Sequence, residues 1–263
     1  MKKKNNPFFT VYACLVYIFL YLPIAVVIAF SFNTSKMNIV FEGFTFDWYV
    51  SMWSNTLLMD AFKNTIIVAA ISTLLATILG TLCAVGLNRF EFKLKGLISA
   101  SLYIPIVIPE LVFAIAMLIL FSSLNITMNM ATLIISHVTF SMPFVVITVR
   151  SRIAGHDPSI EEAARDLGAN EIRTFFRVTL PMIAPGVLSG AMLALTLSLD
   201  DVVVSFFTAG VDSQILPLRI LSMVKKGISP DVNALSTLMI IGSVLLLVGT
   251  TVVQGRLEKQ EEA

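Results

Sequence analysis

The stretch DPSIEEAARDLGANEIRTFFRVTLP, at residues 157–181, interrupts a chain that is otherwise strongly apolar. Ser159 and the glutamate three residues later have the spacing of a capping box, which predicts that a short helix begins there. Gly168 predicts the end of that helix, because glycine accepts the left-handed conformation that closes a helix. A second short helix is expected over residues 170–178, ending before Pro181. The stretch is therefore predicted to form a helix–turn–helix.

Apolar runs of about 20 residues, the length that spans a bilayer core, lie on both sides of this stretch. They are centred near residues 9–32, 64–87, 97–121, 130–149, 182–206 and 234–254. Hydrophobic residues make up 57% of the 263-residue chain and charged residues only 13%, whereas about a quarter of a soluble domain is charged. The predicted fold class is an all-α, polytopic membrane protein with six transmembrane helices. The first run has no cleavage pattern and is expected to be retained as a helix.

Basic residues are unevenly distributed between the two sides of these predicted spans. With the N-terminus inside, thirteen of the 18 lysines and arginines fall in cytoplasmic segments. These are Lys2, Lys3, Lys4, Arg89, Lys93, Lys95, Arg150, Arg152, Arg165, Arg173, Arg177, Arg256 and Lys259. The opposite side holds Lys36, Lys63, Arg219, Lys225 and Lys226. Because basic residues favour the cytoplasmic side of a bilayer, both termini are predicted to be cytoplasmic, and residues 157–181 with them.

This placement, together with the sequence of the loop, resembles the permeases of bacterial ABC importers. In the EAA loop of that family, EAA is followed by three residues, Gly, nine residues, Ile, one residue and Leu-Pro. Here Val178 stands at the isoleucine position, and every spacing is kept. The resemblance implies a type I importer permease whose loop is a cytoplasmic coupling helix that docks in a cleft of a separate ATPase subunit. The coupling residues that it implies are Ser159, Glu162, Ala163, Ala164, Gly168, Leu180 and Pro181.

Other segments resemble one branch of this family, the C-type permeases of spermidine/putrescine importers. They read GFTFDWY at residues 43–49, SHVTFSMPFVV at 136–146, LSLDDVVVSF at 197–206 and ILPLRILSMVKKGISPDVNAL at 215–235. The resemblance implies polyamine import across the bacterial inner membrane by alternating access. It also implies a second homologous permease, a dimer of ATPase subunits and an extracytoplasmic solute-binding protein as partners.

Three acids inside the predicted spans point to a cationic substrate independently of the resemblance. They are Glu110, Asp200 and Asp201, and no lysine or arginine lies within 97–121 or 182–206. Ionisable residues within a membrane usually have a function, and carboxylates could replace the hydration of a polyamine. Pro105 and Pro109 precede Glu110 and are expected to disturb the third span there, which could open a site within the membrane. Counted at the rise of a helix, all three acids are expected in the outer half of the bilayer. Two adjacent aspartates cannot both face one path on a regular helix, so one of them could instead cap the helix end.

For several further residues the sequence is compatible with two different roles. His137, inside the fourth span, is expected to be a neutral packing histidine rather than a proton relay. Trp48, Tyr49 and Trp53 are expected to anchor the first external loop at the membrane interface. In the last external loop, a solvated face and contact with the binding protein are equally compatible with the charged residues, which are Arg219, Lys225, Lys226 and Asp231.

The predicted organisation has three parts: an N-terminal helix and external loop at 1–63, the importer domain at 64–254, and a cytoplasmic tail at 255–263. The chain has no GxxxxGK[ST] phosphate loop. No cofactor, metal site or catalytic residue is therefore expected, and ATP and Mg²⁺ would be bound by the partner ATPase. One alternative keeps the importer and changes the cargo to another cation, an amino acid derivative or an iron-bearing ligand. The other alternative, a membrane hydrolase or a channel, lacks its motifs.

Overall fold

A computed structural model describes residues 7–36, 39–155, 157, 159–224 and 230–261. Helices dominate these residues, and the one strand-like contact among them is an isolated bridge between Asn33 and Phe44. The α-helices, in chain order, are α1 Pro7–Phe30, α2 Asp47–Ser51, α3 Thr56–Arg89, α4 Lys95–Ser101, α5 Ile104–Val107, α6 Glu110–Ser123, α7 Met130–Ile153, α8 Ser159–Asp166, α9 Glu171–Thr174, α10 Leu180–Asp200, α11 Val203–Thr208, α12 Leu216–Val224 and α13 Pro230–Glu261.

Five of these helical segments are long and apolar enough to cross a membrane, within the described part of the chain. A sixth candidate is the pair Lys95–Val107 and Glu110–Ser123, which is bent by 112°. The all-α, polytopic prediction is confirmed. The disturbance predicted near Glu110 is a complete break in the span over residues 97–121, because Pro109 holds the preceding Ile108 in an extended conformation with ψ 146°. The depth of Glu110 cannot then be counted along a straight helix.

Two further predicted boundaries differ from the structure. The second span was predicted to begin at residue 64, but α3 begins at Thr56. Its first two turns are helical despite their polar residues. The fifth span was predicted to continue to residue 206, but α10 ends at Asp200, and Asp201 is extended with ψ 127°. The new helix α11 begins only at Val203.

The chain divides into two compact units, one of residues 60–219 with 249–263 and one of residues 1–59 with 220–248. In the first unit, α3, α7 and α10 share a buried core that includes Ala76, Val145 and Ala194. A second cluster, formed by Phe113, Met117 and other side chains, joins α6 to α11 at Val204. These contacts hold together the helices that bear the predicted acids.

Small residues allow the close approach of α3 and α10 to α7, as expected where helices pack without a hydrophobic drive. A Cβ added at Gly80 would lie 2.8 Å from the Val145 side chain, and one added at Gly190 would lie 3.2 Å from the Val145 backbone. Gly86 is also a small residue of α3, but a Cβ there would meet nothing within 4 Å. The close packing is therefore centred on Val145.

We expect Gly80→Ala to destabilise the folded chain by about 1–3 kcal/mol, because the added methyl group would overpack the contact with Val145. Gly86→Ala is the matched control, and its higher helix propensity should stabilise the chain by up to about 1 kcal/mol. Thermal unfolding of the detergent-solubilised protein measures both effects. A Gly80→Ala midpoint equal to that of Gly86→Ala would contradict this account of the packing.

The second unit contains α1 and an external loop that is folded around Asn33. The α1 span has no buried positions, as expected for a helix that faces lipid. Asn33 Nδ2 donates to the Val40 carbonyl at 2.8 Å, and the Trp48 indole donates to the Asn33 carbonyl at 2.6 Å. The prediction that Trp48 is simply an interfacial anchor therefore needs correction, because its polar atom is bonded within the loop. Tyr49 is similarly bonded to Ser31, whereas Trp53 is 65% exposed.

Candidate functional site

The site begins at the break between α10 and α11, where Asp201 leaves helical geometry. Its carboxylate accepts hydrogen bonds from the backbone N–H of Val204 at 3.1 Å and of Ser205 at 2.7 Å. These N–H groups open α11 and have no partner within that helix. Asp201 therefore caps the start of α11, whereas the cap foreseen from the sequence was at the end of the fifth span. Only 6% of the residue is exposed.

His137 of α7 joins Asp201 to a buried polar network. Its Nε2 atom lies 3.3 Å from Asp201 Oδ2 and 2.9 Å from Ser205 Oγ, and its Nδ1 atom lies 2.7 Å from Ser198 Oγ. Because the Ser205 hydroxyl donates its one proton to Asp201, its oxygen can only accept from His137, which places a proton on Nε2. In the neutral ring, Nδ1 then accepts from Ser198. The expectation of a hydrogen-bonded packing histidine agrees with this geometry.

The network also reaches α3, through Ser72 Oγ, which lies 3.0 Å from Ser198 Oγ. Sequence reasoning singled out none of the three serines Ser72, Ser198 and Ser205. A signal was present for two of them, because Ser198 precedes Asp201 by three residues and Ser205 follows it by four, which are helical spacings. The chain thus has buried polar side chains from four helices at the level of the acids.

Glu110 lies at the other break, as the first residue of α6. Its negative charge is favourable there, because the N-terminus of a helix is its positive end. The Glu110 and Asp201 carboxyl groups are within hydrogen-bonding range of each other, and Asp200 is close enough to Glu110 for electrostatic repulsion. The structure therefore brings all three predicted acids together.

The three acids differ in their access to solvent or substrate. Asp200 is exposed and Glu110 is partly exposed, whereas Asp201 is buried. Carboxylates held this close together repel one another unless a proton or a cation lies between them. Glu110 and Asp200 are consequently the groups of this cluster that are available to a cation, with Asp201 behind them.

The predicted coupling loop closes around Gly168, which has φ +85°. The Gly168 N–H donates to the Arg165 carbonyl at 2.8 Å, and the Ala169 N–H donates to the Ala164 carbonyl at 3.1 Å. This pair of bonds is the Schellman motif. The predicted end of the helix at Gly168 is confirmed.

The start of the loop differs from the predicted capping box. Ser159 is the first residue of α8, and its N–H donates to Asp157 Oδ1 at 3.0 Å. Asp157, rather than Ser159, is therefore the acceptor at this helix start. The hydrogen bonds from the Ser159 backbone and hydroxyl lower the pKa of Asp157 below its ordinary value. Ser159 lies inside α8 as its first residue, so it does not occupy the position before the helix that a capping box requires.

The second half of the loop was predicted to be a separate short helix, and this prediction is wrong. Asn170 caps α9, a π-helical turn follows at Phe175–Thr179, and α10 continues directly, giving one helical segment over Glu171–Asp200. The helix was predicted to end before Pro181, because proline lacks an N–H and would crowd the carbonyl four residues earlier. The helix continues instead, because the wider π-helical turn makes room for the proline ring. Leu180 packs against the core of the first unit.

The outer surface of the loop is exposed and partly apolar. Glu162 and Ala163 are exposed, and Ala164 is half-buried. The apolar side chains beside them have large exposed fractions, namely Ile160 at 48%, Leu167 at 90%, Ile172 at 70% and Phe176 at 61%. An apolar surface of this kind, rimmed by charge, is typical of a protein interaction site.

Two of the charged residues predicted for the last external loop can be described, and neither is fully exposed. Asp231 is only 8% exposed and accepts a hydrogen bond from Asn55 Nδ2 at 2.6 Å within its unit. The reading of Asp231 as part of a solvated face is therefore wrong. Arg219 is partly buried in α12, and Lys225 and Lys226 lie outside the described residues.

Comparison with known proteins agrees with these features. The profile of the family described as "Binding-protein-dependent transport system inner membrane component" matches residues 76–261. The chain is 42% identical over 238 residues to the "Spermidine/putrescine transport system permease protein PotC" of Escherichia coli (strain K12), with 90% of each chain covered. It is 38% identical over 243 residues to the "Putrescine transport system permease protein PotI" of the same strain, with 90% of this chain and 86% of that protein covered.

A solved bacterial ABC transporter involved in the import of the acidic polysaccharide alginate has the same fold. Its TM-score is 0.70 at 16% identity, over 97% of this chain and 98% of that chain. The MetNI methionine ABC transporter matches with a TM-score of 0.64 at 19% identity, over 79% of this chain and 98% of that chain. With the profile match and the relatives above, these likenesses show that the chain belongs to the family of inner membrane components of binding-protein-dependent transport systems, as an ABC importer permease.

Proposed function

We propose that this permease moves polyamines of the spermidine/putrescine class into the cell, and that Glu110, Asp200 and Asp201 form its cation site. The observation that supports this proposal most strongly is the convergence of the three acids at two helix breaks. The names of the PotC and PotI relatives agree with such a cargo. A polyamine has charges separated by methylenes, and it needs carboxylates beside apolar surface.

The apolar surface is present next to the acids. Phe113 and Phe140 are in ring contact at 5.5 Å between centroids, and Val204 packs in the same cluster as Phe113. Phe113 and Val204 are buried behind Phe140, which is partly exposed, so methylene segments could lie on Phe140 while the ammonium groups face Glu110 and Asp200. The aromatic face of Phe140 would also attract the ammonium groups by cation–π interaction.

The proposed partners are a second homologous permease, a dimer of ATPase subunits and an extracytoplasmic solute-binding protein. This chain would perform no bond chemistry, and ATP and Mg²⁺ would be bound by the ATPase. Residues Ser159, Glu162, Ala163, Ala164, Gly168, Leu180 and Pro181 would couple it to ATP hydrolysis. Both termini would be cytoplasmic, since Arg89, Arg150 and Arg152 end α3 and α7 on the side of the loop.

Uptake of labelled spermidine and putrescine tests this proposal. The chain is co-expressed with the proposed partner permease, ATPase and solute-binding protein, in cells that lack polyamine importers. We expect uptake that requires this chain and an active ATPase. An assembled complex that hydrolyses ATP but takes up neither polyamine would overturn the assignment of the cargo, and a screen of other cations, amino acid derivatives and iron-bearing ligands would follow.

A further inference from the structure

The helix α8 is held in place by polar contacts rather than by apolar packing. None of its residues is buried. Among the described residues, Glu161 and Arg165 make the side-chain bonds that join α8 to the rest of the first unit. A helix of eight residues is too short to be stable by itself in water. What fixes the position of α8 must therefore be these charged contacts.

Glu161, Arg89 and Thr179 form a closed set of bonds, which we call the clasp. Arg89 Nη2 lies 2.5 Å from Glu161 Oε2 and donates to Thr179 Oγ1 at 2.7 Å. The Thr179 hydroxyl donates to Glu161 Oε1 at 2.6 Å. Both carboxylate oxygens of Glu161 are thus occupied within one three-residue set.

The clasp is more sheltered than an ordinary surface ion pair. The Arg89 and Glu161 side chains are 14% and 22% exposed, and Thr179 is buried. Exposed pairs contribute little because water screens them, whereas charge-assisted hydrogen bonds in a sheltered set are stronger. An additional contact from Arg89 to Glu171, at 3.4 Å, involves a side chain that is 64% exposed and is correspondingly weaker.

The clasp joins three elements at their ends. Arg89 is the last residue of α3, Thr179 directly precedes α10, and Glu161 is in α8. A cavity of about 90 Å³ lies beside it, with Asn88, Ile153, Glu161 and Met182 in its wall. Because this space is not filled by side chains, α8 would be free to shift toward it if the clasp were broken.

We propose that Arg89 is a positioning residue that locks α8 to α3 and α10, so that force applied to α8 by the ATPase moves these helices. This inference rests on the proposed function, in which α8 docks on the ATPase. Through the continuous helix Glu171–Asp200, the same movement would reach the acid cluster. Without the clasp, α8 would stay docked on the ATPase but could rotate relative to α3 and α10. The ATPase would then hydrolyse ATP without moving the transmembrane helices.

The first experiment measures the position of α8 without any cargo. A spin label is placed at Leu167→Cys, in the full chain in nanodiscs, with Cys14 and Cys83 changed to alanine. Arg89→Gln and Glu161→Gln should each increase label mobility, and the double variant should match Arg89→Gln, because both remove the same contact. Lys95→Gln is the control, since it also removes one cation from an ion pair, but its partner Glu91 is 86% exposed and is not a residue of α8. Unchanged mobility in Arg89→Gln would overturn the proposal.

The second experiment measures coupling in the reconstituted complex, as polyamine transported per ATP hydrolysed. We expect Arg89→Gln to lower this ratio about tenfold, equal to about 1.4 kcal/mol, with ATP hydrolysis maintained. Arg89→Lys should give a partial loss, because one ammonium cannot replace the forked guanidinium. A normal ratio in Arg89→Gln would contradict the proposed role. If the parent complex moves no polyamine, the proposed cargo fails, and the mobility measurement still decides whether the clasp holds α8.

Discussion

Polyamine uptake should fall by about ten- to one-hundred-fold in a complex whose permease has Glu110→Gln, with a similar loss in Asp200→Asn. Each substitution removes a negative charge from the cluster at the two helix breaks and leaves the side-chain size nearly unchanged. Hydrogen bonds to charged groups are worth about 1.5–3 kcal/mol, and that range corresponds to the stated loss of uptake. Initial rates of labelled spermidine uptake, at matched levels of assembled complex, give the measurement.

Asp60→Asn is the matched control for this experiment. Asp60 is exposed near the start of α3, so the variant loses one charge without touching the acid cluster, and its uptake should equal that of the parent. A Glu110→Gln complex that transports at the parental rate would remove Glu110 from the substrate path. Equal losses in Glu110→Gln and Asp60→Asn would instead show that only the overall charge matters.

Asp201→Asn should behave differently from the other two acid variants, because Asp201 is a buried cap. Its carboxylate accepts from two backbone N–H groups and from Ser205, beside His137. Asparagine has one acceptor oxygen instead of two, so at least one of these buried donors would lose its partner, at a cost of about 1–3 kcal/mol. We therefore expect a large loss of folded protein as well as of uptake. Normal abundance and thermal stability of Asp201→Asn would contradict the capping role.

Gly168→Pro should abolish polyamine uptake while the chain remains inserted in the membrane and the ATPase continues to hydrolyse ATP. Proline is restricted to φ near −65°, and Gly168 has φ +85°. The Schellman motif cannot form with proline there, so the end of α8 and its exposed apolar surface would be displaced. The expected cost is about 3 kcal/mol or more in the loop, which is enough to undock α8.

Graded substitutions at Gly168 separate backbone conformation from side-chain size. A Cβ at this position would meet nothing within 4 Å, so crowding cannot explain a loss. Alanine should reduce coupling by about 1–2 kcal/mol, the cost of a left-handed conformation, while asparagine, which tolerates that conformation, should remain near the parent. Coupling is measured as uptake per ATP hydrolysed. If asparagine were as damaging as proline, the requirement for positive φ would be wrong.

The local patterns of the sequence were sufficient for much of the architecture. Apolar runs of bilayer length predicted the helical spans, because each span must satisfy its own backbone hydrogen bonds within the membrane. Gly168 predicted the end of α8, because a positive φ is a property of single residues. The three acids were found because charge is rare among apolar residues. Each of these inferences depends on neighbours along the chain.

The broken helices were only partly predictable. Pro105 and Pro109 marked a disturbance near Glu110, but a proline in a helix produces either a kink or a complete break. The 112° bend at Pro109 and the continuous π-helical turn before Pro181 are opposite outcomes of the same residue type. Which outcome occurs depends on whether neighbouring helices provide partners and space for the displaced backbone, and the sequence of one segment does not contain that information.

The sequence by itself determined the fold class, the family resemblance, the existence of the loop helix α8 and the identity of the acids. Only the tertiary structure decided that Glu110 meets Asp201, that Asp201 is bonded to His137, and that Arg89 holds Glu161 from 72 residues away. The physical reason is the range of the interactions involved. Helix length and termination follow from backbone chemistry within a few residues, whereas these pairs form only when packed helices bring distant side chains to hydrogen-bonding distance.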